Sequence, residues 1–186
     1  MNATIKRLME RFKHNMPLTL AQFRRYSKDN QRRIVACNAL RMLLANKIQP
    51  EHVYVDVPFT KAAENTQAAQ YIKRRSKADC VVCALGALFT GHVMALDNRT
   101  VKAFSNSDRH DIIGALSGVF DEDTLMLIEI YYENWDDNSS SHDWDAETLA
   151  HAKRFGDAVI NDYVSMEIIL ENIIEHGDFY PYEMSL

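Results

Sequence analysis

The sequence predicts a mainly α-helical protein: one compact cluster of helices around a buried central helix at about residues 80–96, with at most one short strand or hairpin. Three observations carry that expectation. Apolar residues recur at the i, i+3, i+4, i+7 spacing of a helix face along much of the chain. The stretch CVVCALGALF at 80–89 is apolar on every side, as a helix surrounded by others should be. A chain of 186 residues, 47% hydrophobic and 25% charged, is long enough to close one core, so residues 1–186 are expected to form a single domain.

Taken in order, Ile5, Leu8, Met9 and Phe12 share one helix face that stops before Pro17. From Asp29, a candidate N-cap, DNQRRIVACNALRMLLANK reads as a longer helix, apolar from Ile34 to Leu44, with Lys47 near its end and Pro50 beyond. Val53, Val55 and Val57 alternate with Tyr54 and Asp56, which suits one short strand ended by Pro58. Thr60 is placed to cap a polar, alanine-rich helix running towards YIKRRSK, and Asp79 to cap the central helix from Cys80. After Gly91, HVMALDNRTVKAF is read as helix to about Leu96, in preference to a hairpin turning at Asp97 and Asn98. Ser107 then caps DRHDIIGALSGVF, and Asp121 caps EDTLMLIEIYYENW, where Leu125, Ile128 and Tyr132 line one face. The polar segment DDNSSSHDWD leads to a helix through AETLAHAKRF. SMEIILENIIEHG follows, with Ser165 as cap and Gly177 in the C-terminal stop position.

A net charge of −5 conceals a sharp asymmetry. Residues 1–77 hold 16 Lys+Arg against 5 Asp+Glu, a net of +11, whereas residues 78–186 hold 5 against 21, a net of −16. Fields this uneven shape encounter and non-specific binding more than fold. They suit a charged partner, a homo-oligomer whose opposite halves meet between copies, or halves that fold against each other. The N-terminal MNATIKRLMERFKHNM lacks the apolar core of a secretory signal, and Val81–Phe89 is about half as long as a bilayer crossing requires. Cys37, Cys80 and Cys83 are an odd count in a chain that folds without staples, which favours free thiols, a reducing compartment and a cytoplasmic protein with no membrane role. No cofactor is expected.

The C-x-x-C pair at a helix start would lower a thiol pKa through the helix dipole. A thioredoxin-like site also needs a preceding strand and a facing cis-proline, and Pro181 is the one later proline. Zinc would need His92 and a further histidine to complete its ligands. Buried core cysteines are the first reading. A cysteine-dependent enzyme is the alternative, with Cys80 as nucleophile and His92, His110 or His142 as base. On one continuous helix, however, Cys80 and His92 would stand about 18 Å apart. Asp136, Asn138, Ser140 and Glu147 fall at oxygen-donor positions of a calcium loop, but Ser141 stands where the sharp turn wants glycine, so metal is not favoured.

Two charged surfaces remain. Arg24, Arg25, Arg32, Arg33, Lys73, Arg74 and Arg75 are candidates for phosphate contacts with nucleic acid, without any accompanying recognition motif. Glu122, Glu129, Glu133, Asp136 and Asp137, with Tyr132 and Trp135, form the candidate surface for a basic protein partner.

CALGAL at 83–88, LIEIYYENW at 127–135 and IILENIIEHGDFYP at 168–181 together resemble a group of small bacterial and bacteriophage proteins of unknown function. These share a Cys-Ala-x-Gly-Ala-Leu helix, an acidic-aromatic helix and a C-terminal Asn-Ile-Ile helix closed by glycine. The resemblance covers roughly the C-terminal half and implies a prokaryotic or mobile-element setting, with no activity to carry over. The functional expectation is therefore a non-enzymatic interaction protein that binds a macromolecule through its charged surfaces.

Overall fold

The computed structural model describes residues 1–75, 80–133, 144–159 and 161–184. The first helix, α1 (Ala3–Arg11), is capped by Asn2, whose Oδ1 accepts from the Ile5 N–H at 2.9 Å. A capping box formed by Thr19 and Gln22 opens the single turn α2 (Leu20–Phe23). The long helix α3 (Lys28–Leu44) starts after Ser27, not Asp29, because the Ser27 hydroxyl accepts from the Asn30 N–H and leaves Asp29 in the first turn.

Strand β1 (Ile48–Pro50) follows, then a 3₁₀ turn at Lys61–Ala63 and α4 (Ala68–Arg74). Thr60 makes no side-chain cap bond there. Strand β2 (Cys80–Val82) lies parallel to β1, with Ile48 opposite Cys80 and Pro50 opposite Val82. The central helix is α5 (Ala84–Leu96), and α6 (Val101–Ser105), α7 (Arg109–Leu116) and α8 (Glu122–Glu133) come next. Asp108 rather than Ser107 caps α7, while Asp121 caps α8 by accepting from Thr124 N–H at 2.8 Å. Asp145 caps α9 (Ala146–Ala158), and Asn161 caps α10 (Asp162–His176), which places Ser165 inside the helix and buried.

The expected architecture is the one observed: mainly helical, with α5 buried along almost its whole length, ending at Leu96 with Asp97 in a left-handed C-cap. Two local expectations change. Cys80 is not in the first turn of the central helix; Cys80–Val82 pairs as a strand, and the helix begins three residues later with Cys83 as N-cap. β-branched Val81 and Val82 favour that pairing. Residues 53–57 are joined to β2 by a single bridge, in which Asp56 and Val81 exchange N–H···O bonds of 2.9 Å, so the strand expected there is reduced to one extended contact. Asp79 lies outside the described residues.

Two glycines let backbone approach α5. A Cβ at Gly91 would stand 2.2 Å from the Val35 carbonyl oxygen, so the glycine lets α3 pass close against α5. A Cβ at Gly86 would stand 1.6 Å from the Tyr54 carbonyl oxygen, so the 51–57 segment is laid directly on the first turns of α5. Cys83 N–H donates to Val53 O at 2.5 Å and pins the same segment. That docking brings His52 and Tyr54 to the start of α5.

The opposite-charge halves also meet. Arg32 of α3 pairs with Asp178 at 2.6 Å and lies 3.8 Å from Asp121, while Arg33 donates to the Ile174 and Glu175 carbonyls at the end of α10. α10 stops at Gly177, whose φ of 82° suits glycine.

Candidate functional site: an acidic cleft at the start of α5

Glu129 and Glu133 lie one helical turn apart on α8 and face the N-terminus of α5. With His52, Tyr54 and Cys83 they line a cleft of about 220 Å³. Glu129 is only 2% exposed, and its carboxylate is fully engaged. Arg109 donates from Nε to both oxygens at 3.1 and 3.0 Å and from Nη2 to Oε2 at 2.8 Å, and Tyr54 O–H donates to Oε1 at 2.7 Å. Burial, and then the bond to Glu129, push the Tyr54 phenol pKa up, so it remains a donor.

Glu133 is more weakly compensated. Its Oε2 lies 2.5 Å from His52 Nδ1, and His52 Nε2 lies 3.6 Å from Asp162 Oδ2. The hydrogen bond to Glu133 raises the His52 pKa in spite of burial. Burial raises the Glu133 carboxyl, Glu129 and Asp162 add to that, and His52 acts the other way. His52 also stacks obliquely on Tyr132, with ring centroids 5.6 Å apart.

Cys83 reaches the same cleft from the N-cap of α5, a position that would favour a thiolate. Burial nevertheless pushes its thiol up to about 12, with Glu133 and Glu129 acting in the same direction against the N–H groups of Gly86 and Leu85. The cleft therefore joins carboxylates, an imidazole and a neutral thiol.

The residues singled out in the sequence distribute unevenly over this arrangement. Cys80 is buried in β2 with its thiol pushed up to about 12 by burial, which removes the accessible, acidic nucleophile that a cysteine enzyme needs. His92 is buried against Phe23, with ring centroids 5.9 Å apart, and burial lowers it to about 4. His110 is exposed on α7, and His142 lies outside the described residues. The structure does not bring Cys80 and His92 together: one pairs with Ile48, the other packs on α2.

The acidic surface needs correction as well. Glu129 and Tyr132 are buried and cannot contact a partner by lying on an exposed face; Glu122 is exposed in the first turn of α8, and Glu133 borders the cleft. Trp135, Asp136 and Asp137 lie outside the described residues, as do Asn138 and Ser140 of the calcium-like loop, while Glu147 sits in the first turn of α9. Of the basic set, Arg24, Arg25, Lys73 and Arg74 are exposed. Arg32 and Arg33 are held by the acidic half, and Arg75 donates to Pro58 O at 2.9 Å, so the seven do not form one free basic face.

Sequence reasoning missed His52, Tyr54, Cys83 and Arg109 as parts of one site. A signal existed for Glu129: it lies four residues after Leu125 and three before Tyr132, a carboxylate inside an apolar helix face, and such a group needs a buried partner. Among the described residues no helix is long and apolar enough to cross a membrane. Comparison with protein-family models, curated proteins and solved structures finds no match for the chain.

Proposed function

We propose that the chain is a non-enzymatic, cytoplasmic interaction protein of prokaryotic or phage type, whose acidic cleft receives a lysine or arginine side chain of a basic protein partner. One observation carries this reading: Glu133 lines the cleft with His52 against it, Asp162 lies on the other side of that imidazole, and the nearby guanidinium, Arg109, is committed to Glu129. The burial that raises Glu133 would be offset by a cation placed against it. Three free, buried cysteines agree with a reducing compartment.

The test is calorimetric titration of the protein with a short arginine- and lysine-rich peptide, and with the same peptide carrying neutral citrulline and acetyl-lysine. The charged peptide should bind at low salt and weaken as salt screens the cleft. Glu133→Gln/Asp162→Asn should lose at least about tenfold in affinity. Absence of binding at low salt, or equal binding of the neutral peptide, would remove the proposal.

A second reading has its own observation, the presence of Cys83 beside the His52–Glu133 pair. It predicts rapid alkylation of Cys83 in the native protein at neutral pH. The binding reading predicts slow alkylation.

A further inference from the structure

The geometry points to a second site, independent of the acidic cleft: a recess between the segment that follows α1 and the helices α3, α4 and α5, which takes the terminal phosphate of a small phosphorylated ligand. The recess has a volume of about 130 Å³, on the order of four water volumes. Lys13, His14, Arg41 and Lys73 line it, over a floor that includes Met42 and Met94. Three cations thus converge from three parts of the chain. Glu10 is the opposing carboxylate, 3.9 Å from Lys13, and both of those side chains are largely exposed.

Arg41 is held in place without being neutralised. Its Nη1 donates to Asn38 Oδ1 at 3.0 Å and its Nη2 to the Met9 carbonyl, neither of which carries charge. A guanidinium has five N–H donors, so these two bonds do not exhaust its capacity. His14 also borders the recess, with its Nε2 turned away from solvent and without a hydrogen-bond partner. Such an atom is costly to leave unpaired. Burial, and then Arg41, lower the His14 pKa. A guanidinium and two ammonium groups around one recess match the oxygens of a phosphate monoester. A phosphodiester, with one charge and two chain exits, fits a closed-backed recess less well.

The probe is inorganic phosphate, followed by thermal melting and calorimetry against chloride at matched ionic strength. Phosphate should raise the melting temperature saturably where chloride does not. Lys13→Gln/Lys73→Gln should weaken phosphate at least tenfold while leaving the phosphate-free melt unchanged, because both side chains are exposed. Glu133→Gln/Asp162→Asn should leave phosphate binding intact, which separates failure here from failure of the acidic cleft. A short oligonucleotide with and without a 5′-phosphate forms the second arm, and the phosphorylated form alone should compete with inorganic phosphate. Identical responses to phosphate and chloride, or an unaltered phosphate affinity in Lys13→Gln/Lys73→Gln, would overturn the inference. Equal competition by both oligonucleotides would overturn it in favour of the nucleic-acid backbone.

Discussion

Replacing Arg109 by methionine isolates the energetic problem at the heart of the acidic cleft. The variant keeps much of the side-chain volume but strips the buried Glu129 carboxylate of two N–H donors that make three hydrogen bonds, leaving Tyr54 O–H as its one remaining side-chain donor among the described residues. Breaking a buried ion pair from one side costs about 3–5 kcal/mol, because the surviving charge stays desolvated. Arg109 itself is 37% exposed, so water can enter part of the space it leaves, and the expected loss falls to about 2–3 kcal/mol. With a urea m-value of about 2 kcal/mol per M, the unfolding midpoint should drop by about 1–1.5 M with no change in slope.

The double variant Arg109→Met/Glu129→Gln is the discriminating measurement. A neutral amide can still accept from Tyr54 and imposes no stranded charge, so the double variant should recover at least about 1 kcal/mol relative to Arg109→Met. If the double variant is as unstable as Arg109→Met or more so, the charge argument is refuted. The two residues would then matter for their packing.

Gly91→Ala should destabilise by about 2 kcal/mol in urea titrations: the added Cβ meets the Val35 backbone carbonyl at 2.2 Å, which puts overpacking at the upper end of about 1–3 kcal/mol, and the helix-propensity gain of about 1 kcal/mol offsets only part of it. Stability should fall as pH rises above 6.5, because the His52 pKa is raised in the fold and its contribution, complete below 6.5, is lost on passing the folded value. Melts from pH 6 to 8.5 should show that slope, and His52→Ala should flatten it; a slope of opposite sign in the native chain would refute the pairing. His92 acts in a different window, its lowered pKa withdrawing stability as pH falls from 6.5 towards about 4. Thiol titration at neutral pH should find Cys37, Cys80 and Cys83 slow in the native protein and fast in urea, since burial pushes all three up to about 12.

Much of this structure was legible in the chain. The α1 face, the extension of the central helix to Leu96, the Asp121 cap and the Gly177 stop all depend on local spacing or local chemistry, which a sequence displays directly. β2 was not legible, because Val81 and Val82 belong to a run apolar on all sides, and such a run does not distinguish a buried strand from a buried helix. Its partner is three residues long and ends in proline, which gives no periodicity to read. The cleft was illegible for a different reason. His52, Cys83, Arg109 and Glu129 come from four separated stretches, brought together because Gly86 allows the 51–57 segment to lie on α5.

The charge asymmetry acquires a structural cause from α3. Each of its four basic side chains donates to a backbone carbonyl on another part of the fold: Lys28 to Gly118, Arg32 to Val119 at 3.0 Å, Arg33 to Ile174 and Glu175, and Arg41 to Met9. Met9, Ile174 and Glu175 lie in the last turns of α1 and α10, and Gly118 and Val119 lie just beyond α7. Helix ends leave carbonyls unsatisfied and partially negative, so a central helix ringed by such ends is stabilised by cations along its length. Arg32 adds the carboxylates Asp121 and Asp178 to the same junction. Part of the positive charge of the basic half is thereby engaged inside the fold. The two sites proposed above are local features beside this network: an acidic cleft on one side of α5's first turn, and a basic recess lined by Arg41.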